Sequence, residues 1–124
     1  MHRWDPKDPD ETDDRDLDWT KRLYNEDELA EYNAAIALDP SKAEDVPSTV
    51  VMPADAIVTS TFVLPSQVGS ANPLVAESAS NTATRCKGWW SGGVHKTDYD
   101  IVNRVVTSSG RELDETVRFP IRTR

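Results

Sequence analysis

The chain has 124 residues, 37% of them apolar and 29% charged, which allows one modest core and argues against disorder throughout. A formal net charge of −8 argues against nucleic acid as the main partner, because phosphate binding needs a basic surface. The lone Cys86 excludes an intramolecular disulfide, two distant histidines offer no metal-ligand spacing, and no apolar run of about eighteen residues exists to cross a bilayer.

The opening M-H-R-W-D-P-K-D-P-D also lacks the apolar stretch of a signal peptide. The expectation is therefore one soluble domain without a membrane partner or cofactor, remaining in the compartment where it is made. Its charge is uneven: residues 1 to 55 hold sixteen Asp or Glu against six Lys or Arg, and residues 56 to 124 hold six against eight. That pattern reads as an acidic arm on a nearly neutral body, either solvated or facing a basic partner.

Residues 1 to 16 show no apolar periodicity and carry Pro6 and Pro9. They are expected to extend away from the body and dock on a neighbouring subunit, with Trp4 as the large apolar anchor and Asp5, Asp8 and Asp10 beside it. D-P-D-E-T-D-D has no frame that supplies the alternating ligands, glycine and distant Glu of a calcium loop.

Leu17, Trp19 and Leu23 fall at even spacing and predict a first strand, with Lys21 out of place on its inner face. The segment N-E-D-E-L-A-E-Y-N-A-A-I-A-L predicts a helix. Asn25 and Glu28 form a capping box, Tyr24 and Leu29 a staple, and Asp39-Pro40 the stop. Its narrow apolar face, Leu29, Tyr32 and Ile36, must lie on the body or on a partner. Residues 39 to 54 read as a linker, so a helical insert spans about 24 to 55 within a domain covering 17 to 124.

From Ala56 onward the pattern is β. I-V-T-S-T-F-V-L ends at Pro65, and P-L-V-A-E-S and T-A-T-R-C-K-G-W-W follow as shorter runs. Tyr99, Ile101, Asn103 and Val105 then share a face, as do Leu113, Val117, Phe119 and Ile121. Pro120 points to an edge strand. Five or six short strands joined by tight turns predict an antiparallel β-sandwich.

The segment G-W-W-S-G-G-V-H brings Ser91 and His95 close in sequence. A nucleophile elbow needs G-x-S-x-G between a strand and a helix, and here both spacing and context differ. Gly92 and Gly93 fit a tight turn instead, and no catalytic residue is assigned. Alternation sends one of the adjacent tryptophans inward, leaving Trp89 as a candidate interface residue.

Taken together, W-D-P-K-D-P-D-E, D-W-T-K-R-L, I-V-T-S-T-F-V-L-P, W-W-S-G-G and N-R-V-V-T-S-S-G-R-E-L-D resemble the phage and prophage virion proteins called fibre-tail adaptors. The resemblance spans roughly residues 3 to 22 and 56 to 123. It departs at Phe62, where a tryptophan is expected, and in the segment from Tyr24 to about Asp55, which looks like an insertion. It implies an immunoglobulin-like sandwich in the neck or tail of a long-tailed phage. It also implies a non-enzymatic adaptor made in the host cytoplasm, contacting tail, connector or fibre subunits as a homo-oligomeric ring. The alternatives are a capsid decoration protein and a bacterial adhesin-like domain.

Overall fold

The computed structural model describes residues 2–123. In chain order the elements are β1 (His2–Arg3), β2 (Asp13–Asp18), α1 (Thr20–Leu23), α2 (Glu26–Leu38), a 3-10 turn (Pro40–Glu44) and α3 (Pro47–Val50). Strands β3 (Ile57–Val63), β4 (Val75–Asn81), β5 (Arg85–Ser91), β6 (Thr97–Thr107) and β7 (Glu112–Ile121) complete the chain. They form a four-stranded sheet ordered β1-β7-β6-β3 and a three-stranded sheet ordered β2-β5-β4. The fold is mainly β, as the sequence predicts.

Period-two alternation builds the core. Along β6, Tyr99, Ile101, Asn103, Val105 and Thr107 are buried while Asp98, Asp100 and Arg104 face out. Val117, Phe119 and Ile121 of β7 and Cys86 and Trp90 of β5 join them, so both sheets contribute to one cluster. At its centre Trp4, Phe62, Trp90 and Phe119 make tilted and edge-to-face contacts with centroids 5.1 to 6.2 Å apart. A Cβ on Gly88 would lie 2.9 Å from the Trp90 ring, so the glycine makes room for that indole. Each buried large apolar side chain contributes about 1.5–3 kcal/mol before ordering entropy is subtracted.

The buried polar Asn103 sits in this core with its groups satisfied. Asn103 Oδ1 accepts the Trp19 indole N–H at 2.8 Å, and Asn103 Nδ2 donates to Ser60 Oγ and the Thr61 carbonyl, both at 3.0 Å. The network joins β3, β6 and the segment after β2, and it fixes their register at a buried point. The Trp90 indole N–H is buried without a partner among the described residues, and nothing in the structure explains it.

Three expectations are corrected. Residues 1 to 16 do not form a free arm: β1 pairs parallel with β7, and β2 pairs antiparallel with β5 from Asp13↔Trp90 to Asp18↔Arg85. Trp4 is 7% exposed, packs in the core and donates its indole N–H to the Asp16 carbonyl, so it cannot anchor a neighbouring subunit.

The first strand ends at Asp18, and Thr20–Leu23 is helical, because Asp18 Oδ1 accepts from both the Thr20 amide and hydroxyl and turns the chain. Lys21 is therefore an exposed helical residue, not a misplaced inner one.

The third correction concerns β7, which is not an edge. The Lys7 amide donates to the Pro120 carbonyl and Arg122 donates back to Lys7. Proline is tolerated because the parallel ladder is interrupted between Arg3 and Lys7, where an N–H would otherwise be required.

Candidate functional site

Ser91 and His95 do not meet each other. The Ser91 hydroxyl donates to the Glu77 carboxylate across β4 and β5, while His95 Nδ1 accepts the Thr123 amide at 2.8 Å. Gly92 (φ 73°) and Gly93 (φ 99°) take left-handed conformations in the turn between them, and a Cβ on Gly92 would strike the Pro73 carbonyl at 2.2 Å. Each polar group thus serves the turn. Cys86 is buried on β5, and burial pushes its thiol above the ordinary range.

The acidic N-terminal loop is held by two cations. Lys7 is fully buried, and its Nζ donates to the Asp8 carbonyl at 2.6 Å and the Gly92 carbonyl at 2.9 Å, tying the first turn of the chain to the β5–β6 turn. Desolvation lowers its pKa, opposed by nearby Asp8 and Glu11. Arg15 reaches the Asp5 and Pro6 carbonyls, pairs with Asp13 at 2.8 Å, and lies 5.3 Å from the Phe119 ring centroid. Asp5 and Asp10 are exposed around this clamp and Asp8 is half-buried. Composition hides these roles, since Lys7 and Arg15 look like ordinary surface cations in an acidic run.

The insert makes its own small core. Tyr24, Tyr32 and Val51 are buried together, with Ile36 and Val50 packed against them, and the Tyr24 hydroxyl donates to the Val51 carbonyl at 2.7 Å. The Asn25–Glu28 capping box forms as expected, and Glu28 also accepts the Ala54 amide at 2.7 Å. Leu29 remains 43% exposed. Of the predicted stripe, Tyr32 and Ile36 are used within the insert and Leu29 is left on the surface.

The insert meets the sheet body at Asp55. Its carboxylate accepts from Ser108 Oγ, Ser109 N and Oγ, and both Nε and Nη2 of Arg111, at 2.8 to 3.1 Å. Burial favours the neutral acid, but the Arg111 and Ser109 bonds outweigh it and hold the Asp55 carboxyl well below the usual range. Beside it Leu23, Glu28, Ala54 and Ser108 help line a depression of about 540 Å³. Arg111 belongs to the quoted block N-R-V-V-T-S-S-G-R; Asp55 has no such signal in the sequence.

The outer face of the three-stranded sheet is organised in rows. Register places Trp89 between Asp14 and Ser78, and Lys87 between Asp16 and Ser80. Trp89 is 42% exposed, and the Lys87 ammonium lies 5.9 Å from its ring centroid. Asp14 pairs with Lys87 at 3.2 Å and Asp16 with Arg85 at 3.0 Å. Part of the acidic first half is therefore neutralised by the chain's own β5. Among the described residues, no cluster of three His, Cys, Asp or Glu is placed to hold a metal ion.

Residues 47–120, more than half of the chain, match the family described as Podophage GP4 fiber-tail adaptor protein gp77. The match runs from the start of α3 through all but the last residue of β7, so it begins inside the segment that looks like an insertion. Its description names podophages, whose tails are short, where the sequence resemblance implies a long-tailed phage. No curated protein and no solved structure matches the chain.

Proposed function

Because the chain belongs to the podophage fibre-tail adaptor family, we propose that it is a non-enzymatic structural part of the virion in the neck or tail region. There it links tail or connector to fibres or neighbouring subunits, as one copy of a homo-oligomeric ring. The family match carries this reading; the geometry agrees with it. Several charged side chains on and beside β6 and β7 are engaged with one another, as in Arg104–Asp114, Arg118–Asp100 and Arg122–Asp98, which suits a rigid building block.

We further read the two sheets as an immunoglobulin-like sandwich. The support is strand order: β3-β6-β7 and β2-β5-β4 follow the C-F-G and B-E-D orders of that fold. Candidate partner-facing residues are those left exposed, Trp89 on β5, Leu29 on α2, and Asp5 and Asp10 beside the Lys7 clamp.

Deleting the gene from the phage tests the function. Particles with filled heads that lack fibres, restored by supplying the protein in trans, are expected. Fully fibred, infectious particles without the protein would contradict an adaptor role.

A further inference from the structure

Helix α2 buries little of its circumference. Of its thirteen residues only Tyr32 is buried, with Glu28, Ala35 and Ile36 half-buried on the same side. At about 3.6 residues per turn, Ala30, Ala34 and Ala37 come out opposite Tyr32, and Leu38 follows Ala34 one turn on. All four are exposed, Leu38 to 89%. The same spacing sets Asp27 and Glu31, also exposed, beside this apolar row.

The acids of the insert exceed what the fold uses. Glu26 and Asp27 suit the positive N-terminal end of the helix, and Glu28 closes the capping box. Asp39 accepts from the Ser41 amide, and Asp55 is held by Arg111. The side chains of Glu31, Glu44 and Asp45 have no hydrogen-bond or ion-pair partner among the described residues. With eight acids against Lys42, the segment from Tyr24 to Asp55 carries −7 of the chain's −8 and leaves −1 for all other residues.

We infer that this face of α2 is the docking surface for a basic helix of a different virion protein, which sets apolar side chains on the Ala30–Ala34–Leu38 row and Lys or Arg against Asp27 and Glu31. The row points to a helix, because residues four apart form a ridge that packs into the groove of another helix, and alanines let the two backbones approach closely. Charge chooses the partner. A second copy would bring either an equally acidic insert or a body without positive excess, whose cations Arg85, Lys87, Arg104 and Arg118 are already paired with its own aspartates. Nucleic acid would be repelled, and no three acids among the described residues are placed to hold a metal ion. The inference rests on the protein being a virion component and names the face that meets its neighbour.

Assembled particles test it, with a photo-crosslinking benzophenone amino acid in place of Asn33, an exposed residue at the rim of this face. Illumination should join that position to another virion protein, within a segment rich in Lys or Arg. Combining Glu31→Lys with Ala34→Gln should lower the copies per particle at least about fivefold, whereas Glu112→Lys, the same reversal on β7, should leave them unchanged. All three altered side chains are exposed, so both variants should keep the wild-type melting temperature. Crosslinking to a second copy, or to an acidic or neutral segment, overturns the choice of partner. Particles that carry the probe without any crosslink, or that take up the double variant in full, overturn the surface. Absence of the protein from wild-type particles contradicts the virion reading and the inference with it.

Discussion

Trp4 and Trp89 share a side chain and differ in what surrounds them. Trp4 follows β1, which lies along β7, and its ring meets Phe119 edge-on with centroids 5.1 Å apart; Trp89 occupies an outward position on β5. Replacing Trp4 with Ala should cost about 3–5 kcal/mol in a urea titration, whereas Trp89→Ala should stay within about 1 kcal/mol. Comparable losses at the two positions would contradict these placements. The sequence identifies one inward and one outward residue in the W-W pair by alternation alone. It does not show that Trp4 is core, because the residues around it are Asp, Pro, Lys and Arg, and the apolar surface covering it comes from strands more than fifty residues away.

At the same scale, the Tyr24 phenol has its pKa pushed up to about 12, first by burial and then by Tyr32 and Asp18 nearby. A folded-state value above the unfolded one means that this contribution to stability is fully present below pH about 10 and is lost as pH rises toward 12. Tyrosinate absorption should therefore show one phenol titrating late in the folded protein. Tyr24→Phe should remove that late step; its persistence in the variant would assign it to another tyrosine.

Among the elements, legibility follows the apolar pattern. β3, β6 and β7 were readable from alternation and turn glycines, and α2 from its capping box, because in each the local sequence agrees with the final environment. β2 was not, since D-D-R-D has no apolar alternation. It is a strand because β5 supplies Arg85 and Lys87 opposite its aspartates, a long-range fact. Truncating residues 1 to 16 removes β1, Trp4, Lys7 and most of β2, so the truncated protein should lose cooperative melting. A truncated chain that melts like the intact one would restore the free-arm picture.

The insert should respond separately from the sheets. Arg111→Ala removes the bonds to Asp55 and to the Leu23 carbonyl, where the insert meets the β6–β7 turn. The cost should be about 1–2 kcal/mol, because Arg111 is partly solvated. Limited proteolysis should then cut between residues 39 and 54 faster than in wild type while the sheet core stays protected. Unchanged cleavage would mean that the Tyr24–Tyr32–Val51 cluster alone fixes the insert.

For the whole molecule, the charge asymmetry visible in the sequence resolves into two parts. The aspartates of β2 and β6 and Asp114 and Glu115 of β7 are paired within the chain, whereas the segment from Tyr24 to Asp55 holds eight acids against Lys42 alone. Of these acids, Asp55 alone has an ion-pair partner among the described residues. Composition could show the excess of acid but not which part of it the fold neutralises. A basic virion neighbour would thus meet the insert before the sheets. The most direct measurement is a cryo-EM reconstruction of the particle, fitted with the two-sheet body and its helical insert. The adaptor account predicts density for symmetrically arranged copies where tail or connector meets fibres. Density on the capsid shell, away from the tail, would contradict it and make the protein a decoration of the head.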